Sequence, residues 1–149
     1  MTGPLLNTSS AGIEFIKKHQ GLSLEKYRDE SGLWIIGYGH IIGQSEKSYS
    51  IITSSQAERL LIDDIQKCER VLRKIIPYPL SQKKHDALVS LLFSCGIFDC
   101  LQTGILQNVA HGRYEEATTR WRNALMLNGK KVESLAALRQ AECALFHDE

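Results

Sequence analysis

The stretch from Thr53 to Pro79 constrains the fold of this chain more than any other. Thr53-Ser54-Ser55-Gln56 has the composition of a capping box, in which the glutamine reaches back to the cap. Apolar residues then recur every three or four positions, with Asp64 as the one polar interruption. Pro77 and Pro79 prevent the helix from continuing. The pattern predicts a long helix over about residues 54–76, which divides the chain into two parts.

The part before this helix mixes one helix with short β-type runs. Ser9 or Ser10 can cap a first helix that ends at Gly21. Apolar runs at 24–27 and 33–36 flank the turn sequence Asp29-Glu30-Ser31-Gly32 and predict a hairpin. Residues 41–52 have the composition of a third strand or an irregular loop.

The part after the long helix is helical throughout. Ser81 can cap a helix that ends at Gly96, and further helices are expected at about 101–110, 114–126 and 134–146. We therefore predict an α+β, mainly α fold in one domain over 1–149. It has a small lobe of about 11–55, a connecting helix of about 54–76 and a helical lobe of about 77–149. A cleft between the lobes is the expected binding site.

Composition and charge narrow the class of partner. The 149 residues are 43% hydrophobic and 23% charged, and the net charge is +1. A balance this close to neutral gives no bulk electrostatic signature of nucleic-acid binding. The N-terminus lacks the charged and apolar regions of a signal peptide, and no apolar stretch approaches the ~20 residues that span a bilayer. We expect synthesis in the cytoplasm, with export only through a holin or another route.

The four cysteines do not form a metal-binding pattern. No CxxC pair is present, so neither a metal site nor a cofactor is predicted. Cys68, Cys95 and Cys143 lie in apolar helical surroundings and are expected to be small buried side chains. Cys95 and Cys100 are close enough in sequence to pair if oxidised.

Several motifs in the right order resemble those of the phage-type lysozymes, the endolysin muramidases of glycoside hydrolase family 24. The family motif that ends in Gly-x-Gly-His matches here at Tyr27, Asp29, Gly32, Ile36, Gly37, Gly39 and His40. A second family motif, Pro-Leu-Thr-Gln followed by Asp-Ala-Leu-Val-Ser, corresponds to residues 79–90. Arg139 and Glu142, with Leu145-Phe146, fit the family's C-terminal pattern. The resemblance covers about residues 11–146.

The resemblance implies cleavage of the β-1,4 bond between N-acetylmuramic acid and N-acetylglucosamine. Such hydrolysis normally uses two carboxyl groups, one of them a proton donor. The family's acid position is Gln20 here, and a carboxamide has no titratable proton to donate. The second carboxylate is retained as Asp29. The family threonine that helps to hold water is Ile35, whose side chain cannot form a hydrogen bond.

Other positions of the implied substrate cleft also differ from the family. Ser94 replaces the asparagine of Phe-Asn-x-Gly, and Thr103-Gly104 replaces Ser-Thr. Ala137 and its neighbours lack the basic side chains that precede the family's Arg139 position. The resemblance implies that Ser94, Thr103, Gly104 and Arg139 contact substrate. Tyr38, between two glycines, is a further candidate for an exposed contact with it.

Two questions about the acid position remain open at the level of sequence. Another acid could replace Gln20, but Glu14 lies roughly 9 Å away along the helix at ~1.5 Å per residue. Glu30 should point away from the turn, and Glu25 would need a different local backbone. Alternatively, Gln20 could be an engineered knockout of an active enzyme. The additional change at Ile35 favours natural divergence, since one designed change would suffice.

The remaining candidates have structural as well as functional interpretations. His40 is predicted to be a structural histidine bonded within the small lobe. Asp29 could satisfy the amides of its turn or contact ligand. Trp34 is predicted to pack in the core rather than offer a stacking face, and Trp121 and Tyr114 are predicted to be structural.

The sequence therefore favours an inactive lysozyme-fold protein that binds peptidoglycan fragments or a protein partner at the old cleft. The alternative is an active muramidase that acts in host lysis.

Overall fold

The computed structural model describes residues 6–43, 50–127 and 129–148, and its first helix is α1, Ser10–Gln20. Ser9 caps α1, because its hydroxyl accepts a hydrogen bond from the Gly12 amide at 3.0 Å. Gly21 ends the helix with a φ of 71°, a conformation that favours glycine. Both predicted ends of α1 are thereby confirmed, with Ser9 rather than Ser10 as the cap.

A three-stranded antiparallel sheet follows α1. Its strands are β1 (Ser23–Arg28), β2 (Trp34–Gly37) and β3 (His40–Ile41), in the order β1-β2-β3. The predicted hairpin around the Asp29 turn is confirmed. Directly opposed residues share a face of a sheet. Tyr27 lies opposite Ile35, and Ile35 lies opposite Ile41, so these three side chains form one row across the sheet.

The long helix is α2, Ser54–Ile75, and its capping box forms as predicted. The Gln56 amide donates to Thr53 Oγ1 at 3.1 Å, and the Thr53 amide donates to Gln56 Oε1 at 2.8 Å. The apolar side of α2 packs on the sheet and on the helical lobe. One helix therefore contributes to two hydrophobic clusters and fixes the sheet relative to the helical lobe.

The helical lobe is built around α3, Gln82–Cys95, which packs against α1, α2, α4 and α7. Nine of its residues are buried, so water is excluded from nearly every side of the helix. The other elements of the lobe are α4 (Ile97–Gln102), α5 (Ile105–Ala110), α6 (Tyr114–Arg122), β4 (Met126–Leu127), β5 (Lys130–Lys131) and α7 (Leu135–His147).

Two predicted helices in this lobe differ from the structure. The helix expected at about 101–110 is broken, because Gly104 adopts a left-handed φ of 78° between α4 and α5. The helix expected at about 114–126 ends at Arg122 and is followed by the β4–β5 hairpin. Apolar spacing did not predict either feature, since a glycine break and a two-residue strand leave little trace in a periodic pattern.

The cysteines predicted to be buried are confirmed as such, and Cys100 is buried as well. Burial raises the pKa of Cys68 to about 12 and that of Cys143 to about 11. Thiols with such values carry little thiolate at neutral pH, so these two act as small apolar side chains. Among the described helices, none combines the length and apolar content needed to cross a bilayer.

Candidate functional site

Gln20 occupies the last position of α1 and lies against the Gly39 backbone. A Cβ atom built on Gly39 would approach Gln20 Oε1 to 2.5 Å, which real structures essentially never show. Gly39 also has a φ of 73°, so both the turn and the neighbouring amide require glycine. The carboxamide is half-buried and has no hydrogen bond to any carboxyl group among the described residues.

Asp29 stabilises the β1–β2 turn through one carboxylate oxygen. Its Oδ1 accepts hydrogen bonds from the Ser31 amide, the Ser31 hydroxyl and the Leu33 amide, at 3.0, 2.6 and 3.0 Å. This is the turn arrangement that aspartate often forms. In the described residues Oδ2 has no such partner, so it is the oxygen available to a ligand. Burial and the nearby Asp29 charge raise the pKa of the Tyr27 hydroxyl.

Ile35 lies at the centre of the apolar row that crosses the sheet. It is 5% exposed, whereas its row neighbours Tyr27 and Ile41 are 42% and 40% exposed. Aliphatic and aromatic side chains thus cover the surface where the resemblance implies a threonine. Ile35 itself contributes no hydrogen-bonding group, and its burial leaves little of it for a protein partner to contact.

His40 connects the sheet to the long helix. Its Nδ1 lies 2.7 Å from Asp64 Oδ2 on α2, and the histidine is 7% exposed. The structural interpretation fits this contact, although the partner belongs to α2 and not to the predicted small lobe. Asp64, the polar interruption in the apolar pattern of α2, is thereby explained.

Trp34 does not pack in the core, contrary to the prediction. It is 41% exposed, and it lies opposite Arg28 on the face away from the apolar row. Lys26 Nζ and Arg28 Cζ lie over its ring, 4.9 and 5.0 Å from the centroid. A half-exposed indole gains stability from such cations without burial.

Tyr38 is half-buried beside an open groove rather than in the sheet's apolar row. The groove has a volume of about 560 Å³ and is lined by Tyr38, Ser54, Ser55, Glu58, Arg59, Ile62 and Asp63. Lys17 Nζ lies 5.4 Å from the tyrosine ring centroid and 2.6 Å from Glu58 Oε1. The hydrogen bond from Lys17 to Glu58 raises the pKa of this lysine.

Arg139 and Ser94 belong to a buried polar network in the helical lobe. Arg139 is 0% exposed and its Nη1 donates to Glu142 Oε1 at 2.9 Å and to Ser94 Oγ at 2.6 Å. Glu142 also accepts hydrogen bonds from Ser90 Oγ at 2.6 Å and from Trp121 Nε1 at 3.0 Å. In this arrangement Arg139 contacts protein groups, and Trp121 has the predicted structural role.

Thr103 lines a second pocket, which has a volume of about 420 Å³, and Gly104 follows it in the chain. Its lining is Cys95, Asp99, Thr103, Thr119, Arg120, Asn123, Ala124 and Met126. Arg120 Nη1 donates to the Thr103 carbonyl at 3.3 Å and crosses Gly104, where a Cβ atom would overlap it. Asp99, Arg120 and Asn123 were not predicted as site residues, because their surface positions on helices or in a loop carry no motif.

The two lobes touch at the tip of the β1–β2 turn. Ser134 Oγ donates to Glu30 Oε1 at 3.0 Å, and Lys130 Nζ lies 3.8 Å from a Cβ built on Gly32. Glu30 therefore points toward the helical lobe, which agrees with the prediction that its side chain points away from the turn. In the part of the chain that the structure describes, no cluster of three or more His, Cys, Asp or Glu side chains could hold a metal ion.

The architecture is that of known endolysins and muramidases. The endolysin of Acyrthosiphon pisum secondary endosymbiont phage 1 is 34% identical over 146 residues, which cover 95% of this chain and 98% of that protein. The muramidase domain of SpmX from Asticaccaulis excentricus is 32% identical with a TM-score of 0.79, over 96% of this chain and 99% of that one. The endolysin from Escherichia coli O157:H7 phage FAHEc1 is 30% identical with a TM-score of 0.81, over 99% and 97% of the two chains.

The phage lysozyme family model matches residues 17–142, a span that runs from α1 through the sheet and α2 to the buried carboxylate of α7. Together with identities of 30–34% over nearly whole chains, this match shows that the chain belongs to the phage lysozyme family.

Proposed function

We propose that this chain binds peptidoglycan fragments through the lysozyme fold and does not hydrolyse the glycan. The observation that carries the proposal is Gln20, a carboxamide at the family's acid position, seated against Gly39. Peptidoglycan is the substrate that membership of a lysozyme family implies. A chain that keeps the fold but lacks the proton donor would still bind peptidoglycan and would not hydrolyse it.

The missing proton donor matters quantitatively. General acid catalysis typically contributes ~10²–10⁴-fold to the rate, and a glutamine side chain cannot supply it. Ile35 lowers the rate further, because its aliphatic side chain cannot hold the attacking water that the family's threonine helps to hold. Asp29 Oδ2 alone could stabilise positive charge on the sugar, but one carboxylate performs only half of the usual mechanism.

The other carboxylates near α1 and the turn do not take the place of the missing acid. Glu14 lies 3.6 Å from Lys17 Nζ and points to the surface, with 73% of its side chain exposed. Glu58 is paired with the same lysine. Glu30 accepts a hydrogen bond from Ser134 in the other lobe. These contacts support loss of hydrolysis rather than a relocated active site.

Binding of fragments is supported by what the cleft region retains. Asp29 Oδ2 is open to a sugar hydroxyl, and Tyr27 offers a half-exposed aromatic ring beside it. Across the molecule, the pocket next to Gly104 presents charged and amide side chains to solvent. A protein partner at the same cleft would find Tyr27 and Ile41 exposed, so it is a second occupant to test.

The proposal is tested by separating binding from hydrolysis in one preparation. The native chain should sediment with purified peptidoglycan sacculi and should not clear a suspension of permeabilised Gram-negative cells. The double variant Gln20→Glu, Ile35→Thr restores the two family side chains and should gain measurable clearing if the rest of the cleft is intact. The single variant Ile35→Thr is the matched control, because it restores the water-holding group without an acid.

Two results would contradict the proposal. Lysis by the native chain would make it an active muramidase, which is the alternative suggested by the identity to endolysins over nearly whole chains. Failure to sediment with sacculi would remove the glycan and wall peptide as ligands. In that case, a protein bound at the Tyr27–Ile35–Ile41 row would be the function to examine.

A further inference from the structure

The pocket beside Gly104 departs from the pattern that the family resemblance implies. The resemblance implies threonine at position 104, whereas the glycine here leaves the space that the Arg120 guanidinium occupies. Any Cβ atom at this position would overlap Arg120 Nη1. The substitution to glycine therefore allows a cation to lie where a hydroxyl would otherwise stand.

Two opposite charges face this pocket without neutralising each other. Asp99 and Arg120 both line it, yet neither is in an ion pair with any residue in the described ranges. Among the described residues, the Arg120 guanidinium has one hydrogen bond, the 3.3 Å contact with the Thr103 carbonyl, which satisfies few of its five N–H donors. Both charges are available to a ligand.

The rest of the lining suits a small polar molecule. Thr119 and Asn123 add a hydroxyl and an amide at the rim, while Ala124 and Met126 supply an apolar wall. A volume of about 420 Å³ lies within the ~300–1,000 Å³ range of small-molecule sites. A ligand with a carboxylate for Arg120 and an ammonium for Asp99 would pair both charges at once.

We infer that this pocket binds a free α-amino-acid head group, which carries an ammonium and a carboxylate on the same carbon. The carboxylate of the ligand pairs with Arg120, because guanidinium donors match carboxylate geometry. The ammonium of the ligand pairs with Asp99. This inference rests on the proposed function, since a diamino acid in the peptide part of peptidoglycan can carry such a head group on its side chain, and it names the ligand class for one part of that binding surface.

An NMR titration of the native chain with three small probes tests the inference. Alanine carries both charges, propionate only the carboxylate and ethylamine only the ammonium. Alanine should give saturable amide shifts at Thr103, Gly104, Thr119 and Asn123. Each single-charge probe should bind at least about tenfold more weakly, because it forfeits one charge-assisted hydrogen bond.

Matched variants test whether the NMR shifts caused by alanine depend on the charges of Arg120 and Asp99. Arg120→Gln and Asp99→Asn should each weaken alanine binding about tenfold or more. Arg122→Gln, an exposed arginine of the same helix that does not line the pocket, should leave it unchanged. Equal binding of propionate and alanine, or alanine binding that survives both pocket variants, would overturn the inference.

Sedimentation with sacculi distinguishes a failure of this inference from a failure of the proposed function. If the chain sediments with sacculi but alanine produces no saturable shifts, the zwitterion site is wrong and the proposed function stands. If alanine binds as expected but the chain does not sediment, the pocket stands and peptidoglycan binding is wrong.

Discussion

The polar residues of the helical lobe and those at the cleft end of the small lobe have diverged differently from the family pattern. In the helical lobe, Glu142 and Arg139 match the family and form a buried ion pair at 2.9 Å. At the cleft end of the small lobe, Gln20 and Ile35 stand where the resemblance implies a glutamate and a threonine. Asp29, which is retained there, also holds its turn together through three hydrogen bonds.

The difference indicates which interactions the fold depends on. Removing one partner of a buried ion pair strands a charge away from water, which destabilises the folded state strongly. Replacing a half-buried catalytic carboxyl by its amide leaves no stranded charge. The buried ion pair is needed for folding, whereas under the proposed function the acid position can change without stranding a charge.

The largest expected effect comes from breaking the buried network. Glu142→Ala should lower the free energy of unfolding by about 3–5 kcal/mol, because Arg139, Trp121 and Ser90 lose their common acceptor. Urea denaturation followed by circular dichroism measures this. Glu116→Ala, an exposed glutamate of α6, is the control and should change the value by less than about 0.5 kcal/mol. Similar effects of the two variants would refute the structural role assigned to the network.

An intermediate loss of stability is expected when threonine, the residue of the family pattern, replaces Ile35 in the sheet. Ile35→Thr should destabilise the chain by about 1–3 kcal/mol, since it removes buried apolar volume and places a hydroxyl at a position that is only 5% exposed. Thermal unfolding at several denaturant concentrations would give the value. Ile35→Val, which removes one methylene without adding a hydroxyl, should cost about 0.5–1.5 kcal/mol. If threonine is tolerated as well as isoleucine, the small lobe has not adapted to its apolar row.

The smallest effect is expected at the acid position. Gln20→Glu places a negative charge in the last turn of α1, where the helix dipole disfavours it by about 0.3–1 kcal/mol. The basic residues of the same turn, Lys17, Lys18 and His19, oppose that penalty. The cost should be present at pH 7 and vanish near pH 3, below the ordinary glutamate pKa of about 4.3. Unfolding free energies at both pH values test this.

Gln20→Ala provides the comparison for that experiment. It carries no charge, so its difference from the native chain should be the same at both pH values. A loss of several kcal/mol for Gln20→Glu at pH 7 would show that stability, and not only the loss of hydrolysis, favours glutamine at this position.

Local signals in the sequence were sufficient for most of the fold. The capping box at Thr53, the serine caps of α1 and α3, and the glycine ends of both helices were all predicted and are confirmed. These features depend on hydrogen bonds between residues three or four apart, so the local residue types are sufficient to predict them. The break at Gly104 and the β4–β5 hairpin were not predicted, because elements this short do not produce a periodic pattern of apolar residues.

The candidate site likewise contains residues that the sequence predicted and residues that only the structure revealed. Sequence alone identified Gln20, Asp29 and Ile35 as the positions to examine, because each lies within a motif. Trp34 was wrongly predicted to be buried, since exposure of one face of a strand depends on what packs against it. Arg120 and Asp99 had no motif, and only the packing of α5 against both α4 and α6 brings their charges to one pocket.

Taken by itself, the sequence determined the family, the order of the main helices and the absence of a proton donor at position 20, because each depends on residue type and short-range spacing. The tertiary structure decided that His40 contacts Asp64 of α2, that Ser134 donates to Glu30 of the other lobe, and that Arg120 crosses Gly104. Those outcomes depend on contacts between residues far apart in the chain, whose distances are set only when α2 and α3 have packed the lobes together.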